Sequence, residues 1–370
     1  MSISRNREDY FDFLRETSGI LHPILLRIVE TAAGAAPELW APMMLIARRR
    51  LGQPLQKPAL VRLSYEICGG KDWKQILPAA AAFELLNISS YHANASFDNK
   101  CGVLTKSDKD SQVIAAMLSR ELASRAIQHL RGNFTTEILR DVDKAISLSN
   151  YNIYLAQHFD LNLLTTDRLS HYEKEDTFVE AYRRRCYLGS GFINGQCAFV
   201  GALLAGADAR FADALRQFGE HFGTGLQVIN DLADFVSPHI DPYVAGKCYQ
   251  DSMSDLKNGR LTLPLYHLLK FSHQEAAEFV NNVIRNRRFD DTTLSRIVDL
   301  LLHEGSVTYT RRFALESATA AKSCLSLFPD TESRQHLMTM ATILETNKYL
   351  AALDRRRADV TFEEVVLLQP

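Results

Sequence analysis

Two stretches of this chain are apolar on every side of a helix: LPAAAAFELLNISSY at residues 77–91 and INGQCAFVGALLAGA at 193–207. A helix without a polar face must be ringed by other helices, so these two segments call for a fold in which helices surround helices. The rest of the chain agrees. ILLRIVETAAG, ALVRLSYEICGG, VIAAMLSRELASRAIQHL, VIRNRRFDDTTLSRIVDLLLHEG and SRQHLMTMATILETNKYLAAL all repeat with a period of three to four, and two-residue alternation is rare. Gly69-Gly70, Gly132, Gly305 and Pro329 read as stops or turns between them. No low-complexity tract or solenoid-length repeat interrupts the pattern. The expectation is an all-α fold, a single multi-helix bundle. The interior of such a bundle is where facing helices build ligand and metal sites.

Composition narrows the function classes. Hydrophobic residues make up 46% of the 370-residue chain and charged ones 23%, a globular profile. A net charge of −2 provides no basic field for nucleic acid or an anionic membrane surface, so an anionic ligand would have to be met by local groups or metals. The six cysteines form no C-x-x-C pair or zinc spacing and read as reduced cytoplasmic thiols. The first 19 residues, MSISRNREDYFDFLRETSG, are charged throughout and lack the apolar block of a signal peptide. The apolar run CAFVGALLAGA is too short to cross a bilayer core of roughly 30 Å. The chain is therefore expected to be cytoplasmic, with no transmembrane segment and no nucleic-acid partner.

The chemistry-bearing stretch is LQVINDLADF, residues 226–235, which places Asn230, Asp231 and Asp234 inside an apolar helical run. Asn230 and Asp234, four apart, share a helix face. Two buried carboxylates repel and lose hydration unless something neutralises them. Magnesium is the natural candidate, because it takes oxygen ligands and typically binds one or two carboxylates plus substrate phosphates. The plainer alternative is a solvated face or a helix-end cluster near Pro238. Two further segments bear on the choice: GKCYQDSMSDLKNGRLTLPLYHLL at 246–269, and AAAFELLNISSYHANASFDNK at 80–100 with Asn94 and Asp98 near its end.

With these segments in place, the sequence resembles the trans-isoprenyl diphosphate synthase (polyprenyl synthetase) family over roughly residues 45 to 350. DLKNGRLTLP is similar to the family's D-L-x-x-G-K-x-T-L-P, and LQVINDLAD to its second aspartate motif. ELLNISSYHA before NASFD falls in the frame of the first motif, and GALLAGA at 201–207 is a further match. The resemblance implies an isoprenoid-synthase-type bundle with a central apolar cavity, Mg2+ as cofactor, an allylic prenyl diphosphate as substrate, and a homodimer. It divides the chain into an N-terminal helical extension (1–44), the bundle (45–352) and a tail (353–370). It also assigns roles. Asn94, Asp98, Asn230, Asp231 and Asp234 would hold metal, and Gln227 would face the reacting carbon beside Asp98, Asp231 and Asp234. Lys247, Arg260, Arg185 and Lys57 would grip diphosphate. Ser89, Ser90, Tyr91 and Phe97 would line the cavity, although ordinary core packing is the favoured reading of the two aromatics. His92 reads as a packed histidine.

The departures from the family pattern shape the functional expectation. The first motif has become N-A-x-x-D, and the second begins with Asn230, as in terpene cyclases of the same superfold. Asp98, Asp231 and Asp234 are half the aspartates of the full pattern. The basic grip on isopentenyl diphosphate is thinned to Lys57, with Lys106 or Lys109 as substitutes for missing arginines. A third basic position falls on Gly189, one turn beyond Arg185. The expectation is magnesium-dependent ionisation of an allylic diphosphate of C15–C20 length, followed by cyclisation, deprotonation or transfer to an unusual acceptor, as in a terpene synthase. Two alternatives stand beside it: a catalytically inactive regulatory or scaffold partner, and a conventional chain-elongating polyprenyl diphosphate synthase.

Overall fold

The structure, a computed structural model, describes residues 2–34, 37–100, 105–236 and 253–359. In chain order its α-helices are α1 (Ser2–Gly34), α2 (Trp40–Leu51), α3 (Gln56–Ile67), α4 (Leu77–Phe97), α5 (Lys106–Ala126), α6 (Thr136–His158), α7 (Glu175–Cys186) and α8 (Phe192–Leu204). They continue as α9 (Ala209–Ala233), α10 (Ser254–Lys257), α11 (Leu263–Phe271), α12 (Gln274–Asn286), α13 (Asp291–His303), α14 (Ser306–Cys324), α15 (Glu332–Thr346) and α16 (Lys348–Asp359). The fold is all-α, as the periodicity requires. Among the described residues the only β-type pairings are isolated bridges, Arg131 with Phe134 and Thr165 with Arg260. None of the described helices is long and apolar enough to cross a membrane.

The helices fall into two compact units, each assembled from three stretches of chain. The first comprises Met1–Leu155, Leu188–Gly223 and Thr319–Thr342. Here the helices without polar faces are enclosed as expected, α4 by α2, α3 and α5, and α8 by α3 and α4. The α3–α8 approach depends on Gly201, where an added Cβ would strike the Val61 carbonyl oxygen and press on Ser64. That contact gives a physical reason for a small residue in GALLAGA. At the other side of α3, Arg62 lies between the rings of Phe13 (4.4 Å) and Trp73 (4.5 Å). Its guanidinium also bonds Glu16, Thr17 and Glu66, which fastens α1 onto α3.

The second unit comprises Ala156–Tyr187, Thr224–Ala318 and Ile343–Pro370. Its aromatic centre stacks Phe178 on Tyr266 at 3.7 Å and on Tyr182 at 5.9 Å, with Tyr172 edge-on to Phe178. Helix α13 is tied to α16 by paired bonds from Arg356 to Asp299, both at 2.8 Å.

Two segments that read as continuous in the sequence are broken. The 283–305 stretch divides where Arg287 turns left-handed (φ 52°) and Asp290 caps α13 through Thr293 N. The 333–353 stretch divides at Asn347, whose Oδ1 accepts from Tyr349 N and Leu350 N at the start of α16. The apolar period runs through both breaks, and the capping side chains decide them.

Candidate functional site

In the second unit, the C-terminal end of α9 carries Gln227, Asn230 and Asp231, with Asp234 one residue beyond it. Asp231 is 1% exposed. Its carboxylate accepts from Arg185 Nη1 at 3.0 and 2.9 Å, from the Tyr182 hydroxyl at 2.6 Å and from Gln227 Nε2 at 3.0 Å. Arg185 and Tyr182 project from α7, and the aromatic stack fixes the tyrosine ring. The opposite edge of the Arg185 guanidinium, Nε, donates to Asp160 Oδ1 at 2.7 Å. Asp160 sits in a π-helical turn, Phe159–Leu163, that follows α6, the kind of irregularity that recurs at functional sites.

Burial raises the Asp160 carboxyl above its usual range, against the pull of Arg185. Burial works to lower the Arg185 value, but Asp160 and Asp231 together hold it well above the ordinary arginine range. Burial, reinforced by the neighbouring Asp231 charge, keeps the Tyr182 phenol far above its ordinary value, so it remains a proton donor.

Asp234 is engaged differently. Its carboxylate accepts from Ser254 N, Ser254 Oγ and Asp255 N at 3.2, 3.3 and 2.9 Å, closing the start of α10. Asp255 O then accepts from Arg260 N at 2.8 Å across Gly259, whose φ of +66° suits a residue without Cβ. Arg260 is buried and its Nη1 donates to the Asp160 carbonyl at 2.8 Å. DLKNGRLTLP thus forms a short helix, a left-handed turn and the bridge to Thr165, then enters α11 with Pro264 in its first turn. Asn230 is exposed. Lys247 and Pro238 lie outside the described residues.

The first unit holds a second buried cluster. Glu84 on α4 is fully buried and meets Arg50 Nε of α2 at 2.8 Å and Asn87 Nδ2 at 3.0 Å. Lys57, at the start of α3, donates to Asn87 Oδ1 at 2.8 Å. Desolvation draws the Lys57 ammonium below its usual range, opposed by Glu84. His22 on α1 feels both Glu84 and Arg50, and its imidazole is held low chiefly by burial. Sequence reasoning found Lys57 but missed Arg50, Glu84, Asn87 and His22. Glu84 and Asn87 lay within the motif frame, whereas nothing in the sequence tied Arg50 or His22 to it.

Near the first motif, Asp98 pairs with Lys100 at 3.2 Å and its backbone N bonds Asn94 O. Ser89 is buried, bonded to the Ala116 carbonyl at 2.9 Å and the Tyr154 hydroxyl at 3.3 Å, and Ser90 bonds Asn87 O. Tyr91 and Phe97 are 45% and 37% exposed, so the favoured reading of them as core packing is corrected. His92 is packed as expected, with Nδ1 2.6 Å from Gln112 Oε1, and burial lowers it to about 4. Lys106 is exposed at the first turn of α5, with Lys109 a turn along.

A family model for polyprenyl synthetases matches residues 101–301, more than half of the chain. The chain belongs to the polyprenyl synthetase family. It is 26% identical over 253 residues to octaprenyl diphosphate synthase of Escherichia coli, covering 68% of each chain. Its fold is similar to that of a Caulobacter crescentus polyprenyl synthase complexed with calcium and isoprenyl diphosphate, with a TM-score of 0.71 at 19% identity, covering 93% of this chain and 98% of that one. A Corynebacterium glutamicum geranylgeranyl pyrophosphate synthase, complexed with isoprenyl diphosphate and magnesium, gives a TM-score of 0.72 at 16% identity, covering 90% and 99%.

Whether this chain's second motif suits such an ion is answered by the donors around it. An ionised carboxylate offers about four lone-pair positions, and Asp231 already accepts four hydrogen bonds. As arranged, Asp231 does not fit a divalent ion.

Proposed function

We propose that this polyprenyl synthetase family member extends an allylic prenyl diphosphate by condensation with isopentenyl diphosphate, rather than ionising it for cyclisation. The observation that carries this reading is the Arg50–Lys57–Glu84–Asn87 cluster. Arg50 pairs with Glu84 there and Lys57 bonds the neighbouring Asn87 amide oxygen, so two cations lie near one carboxylate and a surplus positive charge is held in a desolvated setting. A grip reduced to Lys57 alone would be too thin to bring a second diphosphate out of water, and Arg50 thickens it. The Lys57 ammonium has three donor hydrogens and its bond to Asn87 occupies one. A diphosphate arriving there balances the charge and takes the remaining donors, which favours binding in a site of low dielectric. The name of the Escherichia coli relative points the same way. Magnesium and a homodimer belong to this proposal as the family resemblance implies them, a substrate of C15–C20 length as the small Ser89 and Ser90 favour it, and a cytoplasmic location as the sequence composition leads one to expect.

The test is incubation of purified protein with magnesium, farnesyl or geranylgeranyl diphosphate and isopentenyl diphosphate, with products read by mass spectrometry. Prenyl diphosphates lengthened by whole isoprene units are expected. Pyrophosphate release without isopentenyl diphosphate, accompanied by a hydrocarbon or alcohol, would restore the cyclising reading. A second reading, a non-catalytic partner of an active synthase, is favoured by the saturation of Asp231. No turnover of any C10 to C20 allylic substrate would support it.

A further inference from the structure

We infer that Arg185 is an internal cation that replaces a divalent ion at Asp231, so that in the free protein this carboxylate positions a guanidinium and holds no metal. Three observations carry the inference. Arg185 Nη1 reaches both carboxylate oxygens, and Tyr182 and Gln227 take what acceptor capacity remains. The guanidinium is also anchored from its far side, because Nε is bonded to Asp160. To leave Asp231 it must give up that second carboxylate or drag the π-helical turn with it. Both partners are buried, Arg185 at 7% and Asp231 at 1% exposure, and pulling apart a buried, hydrogen-bonded ion pair strands two charges out of water. Asp234 offers an entering ion no easier route, since Ser254 and the Asp255 backbone already bond both its oxygens. The inference concerns the free protein and stands apart from the reaction proposed above.

Titrating the full-length protein with Mn2+ alone, with free ion followed by its electron paramagnetic resonance signal, tests it without any substrate. Wild type and Asp231→Asn are expected to bind Mn2+ equally. Arg185→Gln is expected to gain a site at least ~10-fold tighter, and adding Asp231→Asn to it removes that site again. The inference is overturned if Asp231→Asn weakens Mn2+ binding by the otherwise wild-type protein ~10-fold or more. It is equally overturned if Arg185→Gln, folded by circular dichroism, gains nothing. Should Arg185→Gln fail to fold, the comparison of wild type with Asp231→Asn still decides.

Discussion

Glu84 in the first unit and Asp231 in the second are both buried carboxylates met by a guanidinium, yet their surroundings are bonded differently. Arg50 and Lys57 flank the single acid Glu84. Asp160 and Asp231 both bond Arg185, and Arg260 lies against the Asp160 carbonyl. The difference lies in what remains after pairing. Around Glu84 a positive charge and unused ammonium donors are left over, and an anion completes the set. Around Arg185 the acceptors of Asp231 are full, and the arrangement closes on itself. Identical residue types, differently bonded, make one cluster receptive and the other a structural lock.

Removing the shared cation of the closed cluster breaks this comparison most severely. Arg185→Met is expected to cost about 3–5 kcal/mol, the scale for stranding a buried charge, read from urea denaturation. Adding Asp231→Asn is expected to recover part of that loss, because the stranded acid is its source. A loss below about 1 kcal/mol, the scale of an exposed pair, would show that the pair is not buried in solution.

Glu84→Gln comes next. It leaves two cations without their acid and is expected to cost about 3 kcal/mol, at the lower edge of that range because Pro54 O still bonds Arg50 and Asn87 still bonds Lys57. Inorganic pyrophosphate is expected to restore stability to Glu84→Gln, by up to about 2.7 kcal/mol at a hundredfold excess over its dissociation constant. If pyrophosphate has no effect there, the surplus-charge account of the first unit fails.

The smallest stability effect sharpens the comparison instead. Lys57→Met, which relieves a desolvated ammonium, is expected to change stability by less than about 1 kcal/mol while abolishing the thermal shift caused by pyrophosphate. Lys57 also predicts two pH slopes of opposite sign. Its folded-state value lies below its unfolded one, so between the two the unfolded chain binds more protons and intrinsic stability rises with pH. Over the same alkaline window, pyrophosphate stabilisation falls as the ammonium deprotonates. Both slopes should vanish in Lys57→Met, as followed by thermal unfolding at a series of alkaline pH values.

Much of this molecule is legible in its sequence. The helical period marks α1, α3, α4 and α5, and the left-handed conformations of Gly69, Gly132 and Gly305 fall where stops were expected. The breaks at Arg287 and Asn347 were missed although Asp290 and Asn347 are ordinary capping residues, because an unbroken apolar period outweighs a single cap when read along one dimension. Asp231, Asp234, Gln227, Arg185, Arg260 and Lys57 were all singled out as chemistry-bearing, and the structure places each of them in a polar cluster. Tyr182, Asp160, Arg50 and Glu84 escaped, because each acquires its meaning only from a partner on another helix.

The sequence alone therefore determined that the chain would be all-α, which family it resembles, and that Asp231 and Asp234 lie on an otherwise apolar helical run. Those properties follow from local periodicity and short motifs, where cause and effect lie within a few residues. Tertiary structure alone decided which charge meets which. Arg185 finds Asp160 at a separation of 25 residues and Asp231 at 46, and Glu84 finds Arg50 across α2 and α4. Such pairings are set by how distant helices pack, since the strength of an ion pair depends on burial and geometry that no local stretch of chain encodes.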